Sequence, residues 1–287
     1  MSEHRPVLVT GASSGIGAAT ARLLVDRGFR VWAGVRSEAA AAELTALGDR
    51  CTPLMLDITD AGQIAAAAER IEAGGGLYGL VNNAGFAVSA PLEGIPLAAL
   101  REQFETNVFG TLAVTQAMLP LLRRSVGRIV MISSVQGRLA APFVGPYAAS
   151  KHALEALSDA LRAELLPSGV DISIVEPGAV KTPAWETGAR RGNALAEALG
   201  PELRARYAGE IAMMERVAQA FDARGIPAER VAAVVAHALT ARRPRSRYVV
   251  GLDARLRLAI GTVVPDRLRD RLLRGALARI GRPRPTP

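Results

Sequence analysis

Thr10 to Gly17 reads TGASSGIG, and this run constrains the fold more than any other part of the chain. It follows the short apolar pattern Val7-Leu8-Val9, which reads as a strand, and precedes an alanine- and leucine-rich stretch near 15–27 that reads as a helix. Gly11, Gly15 and Gly17 let the backbone turn tightly, and a helix beginning near Gly15 presents unpaired amide donors and the positive end of its dipole. Strand, glycine turn and helix in that order make an anion cradle of the kind that holds a pyrophosphate. The first glycine interval is wider than in GxGxxG, so the argument rests on mechanism and not on that fingerprint. A plain turn with helix-capping serines is the competing reading, and the flanking strand and helix weigh against it.

The same alternation continues downstream. Strand patterns fall at Arg30–Ala33, Thr52–Leu56, Leu80–Val81, Arg128–Ile132 and Asp171–Val175, with helical stretches near 38–47, 60–73, 97–124 and 147–166. Continuously apolar strands separated by helices predict an α/β fold with a doubly wound parallel sheet, covered on both faces, and 287 residues suit one such domain. Arg247–Val250 is a candidate closing strand, and 183–246, bounded by Pro183 and Pro244, reads as a helical insertion. The predicted division is a body over 1–252 and a basic C-terminal extension over 253–287.

Charge separates these two parts. Nine Arg and three Asp in 253–287 give +6 of the formal +8, which leaves +2 for the preceding 252 residues. Leu268, Leu272, Leu273, Leu277 and Ile280 form a helical stripe there, with Arg267, Arg269, Arg271, Arg274 and Arg279 around it. Such a helix can lie on an anionic membrane. Docking on the chain's own insertion or on a second subunit is the preferred reading. Nucleic acid is not expected as a partner, because the body is near neutral and the tail has no aromatic residues for base stacking. Cys51 is the one cysteine, so it forms no internal disulfide and holds no zinc with a second thiol; no metal site is expected. The start Met1-Ser2-Glu3-His4-Arg5-Pro6 lacks the charged and apolar regions of a secretion signal, and no apolar run approaches the roughly 20 residues of a membrane span, which points to a cytoplasmic location.

Two further features concern chemistry. The second strand ends near Val35, where an acidic residue would suit the ribose hydroxyls of NAD(H); here valine is followed by Arg36, whose guanidinium can hold a 2′-phosphate, so NADP(H) is preferred over NAD(H). Tyr147 and Lys151 lie at i and i+4 on one helical face, and a fixed positive charge beside a phenol favours its ionised form. Ser134 follows the Arg128–Ile132 strand at the carboxyl edge of the sheet, where ligands of such folds bind, and its hydroxyl could orient a substrate oxygen. Lys151 and Lys181 are the only lysines among 35 basic residues. In a chain that otherwise uses arginine, a compact ammonium at 151 is notable because the two side chains are not equivalent.

Taken in order over residues 7–182, these motifs resemble those of the short-chain dehydrogenase/reductase family, which has a Rossmann-type fold. The resemblance implies that Gly11, Ser13, Ser14, Gly15, Ile16 and Gly17 form the cofactor loop, and that Asp57 and Ile58 contact the adenine ring. It implies that Asn83, Ala84 and Gly85 of Asn82-Asn83-Ala84-Gly85 border the cofactor, and that Asn107 holds a proton-relay water. Ser134, Tyr147 and Lys151 match the catalytic trio. Pro177, Gly178, Val180 and Thr182 match the PGxxxT stretch that approaches the nicotinamide. The implied reaction interconverts an alcohol and a carbonyl with NADP(H), Tyr147 exchanging the proton, on a small-molecule substrate. Helices 97–124 and 147–166 resemble those that pair subunits in the family, so a homodimer or tetramer is expected.

The resemblance also implies a substrate lid over about 183–225, which offers Trp185, Leu195, Leu199, Tyr207, Met213 and Met214. Helix-spaced apolar residues fit a lid or ordinary packing, and packing is the preferred reading. Phe86 and the stretch from Tyr147 to Glu155 look similar to members acting on steroids and retinoids, which suggests a hydrophobic secondary alcohol or ketone. A non-catalytic NADP(H)-binding sensor and a membrane-surface protein acting through the tail are the alternatives.

Overall fold

A computed structural model describes residues 5–280, apart from the side chains of Ala184, Trp185, Glu186, Ala189, Asp222, Thr262, Leu277, Ala278 and Ile280. The elements run β1 (Pro6–Val9), α1 (Gly15–Asp26), β2 (Arg30–Val35), α2 (Glu38–Thr45), β3 (Cys51–Met55), α3 (Ala61–Ala73), β4 (Gly79–Asn82), α4 (Leu97–Phe104), α5 (Thr111–Ser125), β5 (Arg128–Ile132) and α6 (Gly145–Glu164). They continue with β6 (Asp171–Pro177), β7 (Val180–Lys181), α7 (Ala184–Glu197), α8 (Pro201–Arg224), β8 (Ile226–Pro227), α9 (Ala228–Thr240), β9 (Arg247–Val250), α10 (Leu252–Val263) and α11 (Asp266–Ile280).

Seven parallel strands make one sheet in the order β3-β2-β1-β4-β5-β6-β9. Strand alternation feeds two cores. Val7, Val9, Val31, Ala33 and Val130 pack with Leu24 of α1 and Val231 and Val235 of α9. Their neighbours Leu8, Trp32, Ile129 and Met131 pack on the opposite face with Ile71 of α3 and Met118 and Leu122 of α5. The doubly wound sheet read from the sequence is the fold observed, and its order reverses between β1 and β4. That reversal opens a crevice at the carboxyl ends of those strands, where loops from both halves converge.

Two helical readings change. The insertion expected over 183–246 is shorter, because β7 pairs with β8, Val180 opposite Ile226, and the chain rejoins the body there. The next helix, α9, has Val231, Val235 and Leu239 fully buried and packs on α1. Its alanine- and valine-rich spacing is that of a core helix. The single helix expected over 97–124 is α4 and α5 joined by a π turn at Glu105–Gly110.

At the C-terminus, Ala254 and Leu258 of α10 are buried with Val135, Leu139 and Val249, while α11 packs on α8. No helix among the described residues is long and apolar enough to cross a membrane.

Candidate active site

The glycine turn sits at the carboxyl end of β1. Gly11 and Gly15 adopt left-handed φ angles of 64° and 54°. Space forbids side chains here too: a Cβ on Gly11 would lie 2.9 Å from Ala84 Cα, and one on Gly17 would collide with the Gly11 carbonyl oxygen. Thr10 locks the facing loop after β4. Its Oγ1 accepts from the backbone amides of Asn83 and Ala84, both at 3.0 Å, and donates to the Val81 carbonyl at 3.3 Å. Asn83 Nδ2 donates back to the Thr10 and Gly11 carbonyls at 2.9 and 3.1 Å. Ser13 and Ser14 are exposed, and the Ser14 side chain makes no cap hydrogen bond to the first turn of α1. Thr182 reaches the same turn, with its Cγ2 3.0 Å from where a Gly15 Cβ would be. Pro177 closes β6, and the Gly178 amide donates to the Val250 carbonyl at 3.0 Å. A Cβ on Gly178 would meet the Asp253 carboxylate; Val180 is buried.

At the outer end of β2, Arg36 is exposed. Asp57, after β3, accepts from the amide and hydroxyl of Thr59 at 2.9 and 2.7 Å. Burial raises its pKa, but those hydrogen bonds and the Arg36 charge outweigh it and hold the carboxyl below its usual range. Ile58 is buried in the core beneath.

Ser134, Tyr147 and Lys151 converge across the crevice. Ser134 follows β5 and accepts from the Gln136 amide at 3.1 Å. Lys151 is buried, donates to the Ile132 carbonyl at 2.8 Å and stands 5.8 Å from the centre of the Tyr147 ring. Burial pushes the Tyr147 phenol up, and a hydrogen bond from Ser134 pulls it partly back. The net direction is upward because desolvation is larger than the effect of that hydrogen bond. Burial pushes Lys151 itself down to about 8, with the Glu155 charge opposing that fall. Asn107 sits in the π turn with its carboxamide committed to protein: Oδ1 accepts from the Phe86 amide at 3.0 Å, and Nδ2 donates to the Phe86 carbonyl at 2.9 Å and to Ser150 Oγ at 3.0 Å. A Cβ on Gly85 would lie 2.9 Å from Asn107 Oδ1, so glycine is needed for this approach.

The short chain dehydrogenase family model matches residues 5–191. The chain is a short-chain dehydrogenase/reductase. It is 35% identical over 277 residues to NADPH-dependent 3-dehydrocapnine reductase of Ornithobacterium rhinotracheale, covering 93% of this chain and 95% of that one. It is 37% identical over 279 residues to human retinol dehydrogenase 5, covering 93% and 87% respectively. A short chain dehydrogenase from Burkholderia cenocepacia in complex with NADP superposes with a TM-score of 0.73 at 29% identity, covering 94% of this chain and 98% of that structure.

As a short-chain dehydrogenase/reductase the chain is an oxidoreductase acting between CH–OH and C=O groups with a nucleotide cofactor. The cradle fits that cofactor on its own geometry: Gly11 and Gly17 leave no room for a Cβ, Gly15 holds a left-handed φ, the N-cap of α1 makes no side-chain cap hydrogen bond, and an arginine stands exposed after β2. Residues that the sequence left without a role complete the site. Thr10 and Ser150 were visible inside the two principal runs, yet their partners become apparent only when β1 meets β4 and α6 meets the π turn. Gln103, fully buried, holds the Phe86 carbonyl and the Val88 amide, and no local signal marks it. In the stretch expected to form a lid, Leu199 is buried against Gly94, and Tyr207 donates to Glu93 at 2.6 Å with its ring edge-on to Phe143. The side chain of Trp185 lies outside the described residues.

Proposed function

We propose that this short-chain dehydrogenase/reductase reduces the carbonyl of a hydrophobic small molecule with NADPH in preference to NADH, Tyr147 serving as proton donor. The convergence of Ser134, Tyr147 and Lys151 beside the glycine cradle carries this reading. The NADPH-dependent relative, the NADP-bound neighbour and the retinol dehydrogenase support the cofactor and the apolar substrate class.

A nicotinamide cofactor held in this cradle would supply the hydride for the carbonyl carbon. Gly11, Ser13, Ser14, Gly15, Ile16 and Gly17 would hold the pyrophosphate, Arg36 the 2′-phosphate, and Asp57 and Ile58 the adenine end. Asn83, Ala84, Gly85, Pro177, Gly178, Val180 and Thr182 would border the nicotinamide half. A phenol whose pKa is raised by burial is fully protonated at neutral pH, which suits Tyr147 to give its proton to the carbonyl oxygen. Ser134 would hydrogen-bond that oxygen and hold the substrate in line. Lys151 would bind the nicotinamide ribose and place positive charge near the phenolate left behind. With its side chain committed to Phe86 and Ser150, Asn107 would act by shaping the backbone that holds a relay water.

A panel of steroid, retinoid and aliphatic ketones, followed by NADPH and NADH absorbance, tests the reading. Turnover of at least one apolar ketone with NADPH favoured is expected; inactivity across the panel removes the substrate class, and equal kinetics with both cofactors removes the preference.

A second reading concerns the C-terminal helices. Leu252, Leu256 and Val263 of α10 and Leu268 and Leu272 of α11 are exposed among arginines, which supports peripheral contact with an anionic lipid surface. Co-sedimentation with anionic liposomes tests it, and binding no stronger than to neutral liposomes removes it.

A further inference from the structure

The face of α6 that carries Tyr147 and Lys151 continues into charged groups that the reaction above leaves unused. Tyr147, Lys151, Glu155 and Asp159 are spaced at four-residue intervals and so share one side of the helix. Glu155 is only 6% exposed. Its Oε2 accepts from Arg247 Nε at 3.2 Å and Nη2 at 3.0 Å, whereas its buried Oε1 makes no hydrogen bond among the described residues. Arg247 also donates to Asp159 Oδ2 at 2.6 Å and pairs with Glu176 Oε1 at 3.1 Å. Glu176, at the end of β6, is fully buried and pairs through Oε2 with Arg138 at 3.4 Å. Gly137 lets the loop after β5 close on this face, since a Cβ there would lie 3.0 Å from Glu155 Cγ and 3.1 Å from the Lys151 carbonyl oxygen.

Lys151 faces the Tyr147 ring and the Glu155 charge, and Glu155 in turn belongs to an ion-pair network with Asp159 and Arg162 on α6, Arg138 after β5, Glu176 on β6 and Arg247 on β9. Among the described contacts, the hydrogen-bond acceptor of Lys151 is a neutral backbone carbonyl. A buried ammonium held only by a neutral acceptor loses its proton easily, because desolvation penalises the charged form. A nearby buried carboxylate reverses that tendency. Of the two buried carboxyls, Glu155 stands one turn from Lys151 on the same face of α6, whereas Glu176 stands on β6 and is paired with both Arg138 and Arg247. Arg247 fixes one oxygen of Glu155 and shares its own charge with Glu176 and Asp159, which leaves Glu155 only partly neutralised.

We propose that Glu155 is a positioning residue that keeps Lys151 charged at neutral pH. The inference rests on the reading of Lys151 as the cationic member of the site, but its test does not depend on turnover. The chain has two lysines, Lys151 and Lys181, so protein labelled with 13Cε-lysine gives two side-chain resonances, which Lys181→Arg assigns. In Glu155→Gln the Lys151 midpoint is expected to fall by about one pH unit or more, the shift typical of losing an adjacent opposite charge. An unmoved midpoint in the folded variant would overturn the proposal. Arg247→Gln gives the opposite sign: it strips positive charge from Glu155, so the Lys151 midpoint must rise, and no change or a fall overturns the proposal even where Glu155→Gln does not fold. Should the midpoints move as expected while the alkaline limb of the NADPH-linked rate stays in place, the Glu155 inference stands and the role of Lys151 in turnover falls.

Discussion

Arg36 stands exposed just after β2, within reach of the Asp57 charge, and the strand ends in Val35 where an acidic residue would favour ribose hydroxyls. Its proposed work is electrostatic and local, so it can be removed without disturbing the core. Arg36→Asp should cut the ratio of NADPH to NADH kcat/KM by about tenfold or more, since hydrogen bonds to a charged group contribute about 1.5–3 kcal/mol. A ratio unchanged in steady-state kinetics with both cofactors would assign the preference elsewhere. At this scale the sequence is most legible where function lies within one local run. Tyr147 and Lys151 announce each other four residues apart on one helix. Thr10 and Gln103 do not, because what they do depends on partners 15 to 74 residues away, brought together by the sheet and by α4.

The strand–turn–helix unit of β1 and α1 is the element on which the cofactor reading depends. Gly17 is its tightest point: a Cβ would meet the Gly11 carbonyl and come within 2.5 Å of Asn83 Nδ2, the group that ties this turn to the loop after β4. Gly17→Ala is expected to destabilise the fold by about 1–3 kcal/mol, as overpacking does, and to abolish NADPH binding because the cradle is pushed open. Parent-like thermal unfolding together with parent-like NADPH fluorescence titration would show that the turn has slack its geometry denies. The strands are readable because apolar β-branched runs between helices have few alternatives. The π turn is not, since its sequence, Glu105-Thr106-Asn107-Val108-Phe109-Gly110, keeps helical periodicity while the backbone widens to aim Asn107 at Phe86. The place of α9 is hidden for a similar reason: helical spacing alone does not say which layer a helix joins.

Across the whole molecule, the sheet brings the cradle, the 83–85 loop, Ser134 and the 177–182 stretch to one edge, and α6 lays Tyr147 and Lys151 along it. The tail is less separate than its charge suggests. Ala254 and Leu258 are buried and Asp253 accepts from the Ala179 amide at 3.3 Å, so a chain cut at 253 would lose packing beside the site. A chain ending after Pro265 keeps α10 and removes the stretch holding seven of the nine tail arginines. It should retain carbonyl reduction and lose most of the liposome binding of the full chain; undiminished binding would locate the contact outside α11. The central claim concerns proton transfer, and Tyr147→Phe addresses it most directly, because it removes one oxygen from a half-buried ring and leaves the cradle intact. Measured on one preparation, NADPH affinity by fluorescence titration should stay within about threefold of the parent while NADPH-linked carbonyl reduction falls by about a hundredfold or more, the scale of a lost general acid. Turnover within about tenfold of the parent, at unchanged NADPH affinity, would contradict the assignment of Tyr147 as the proton donor.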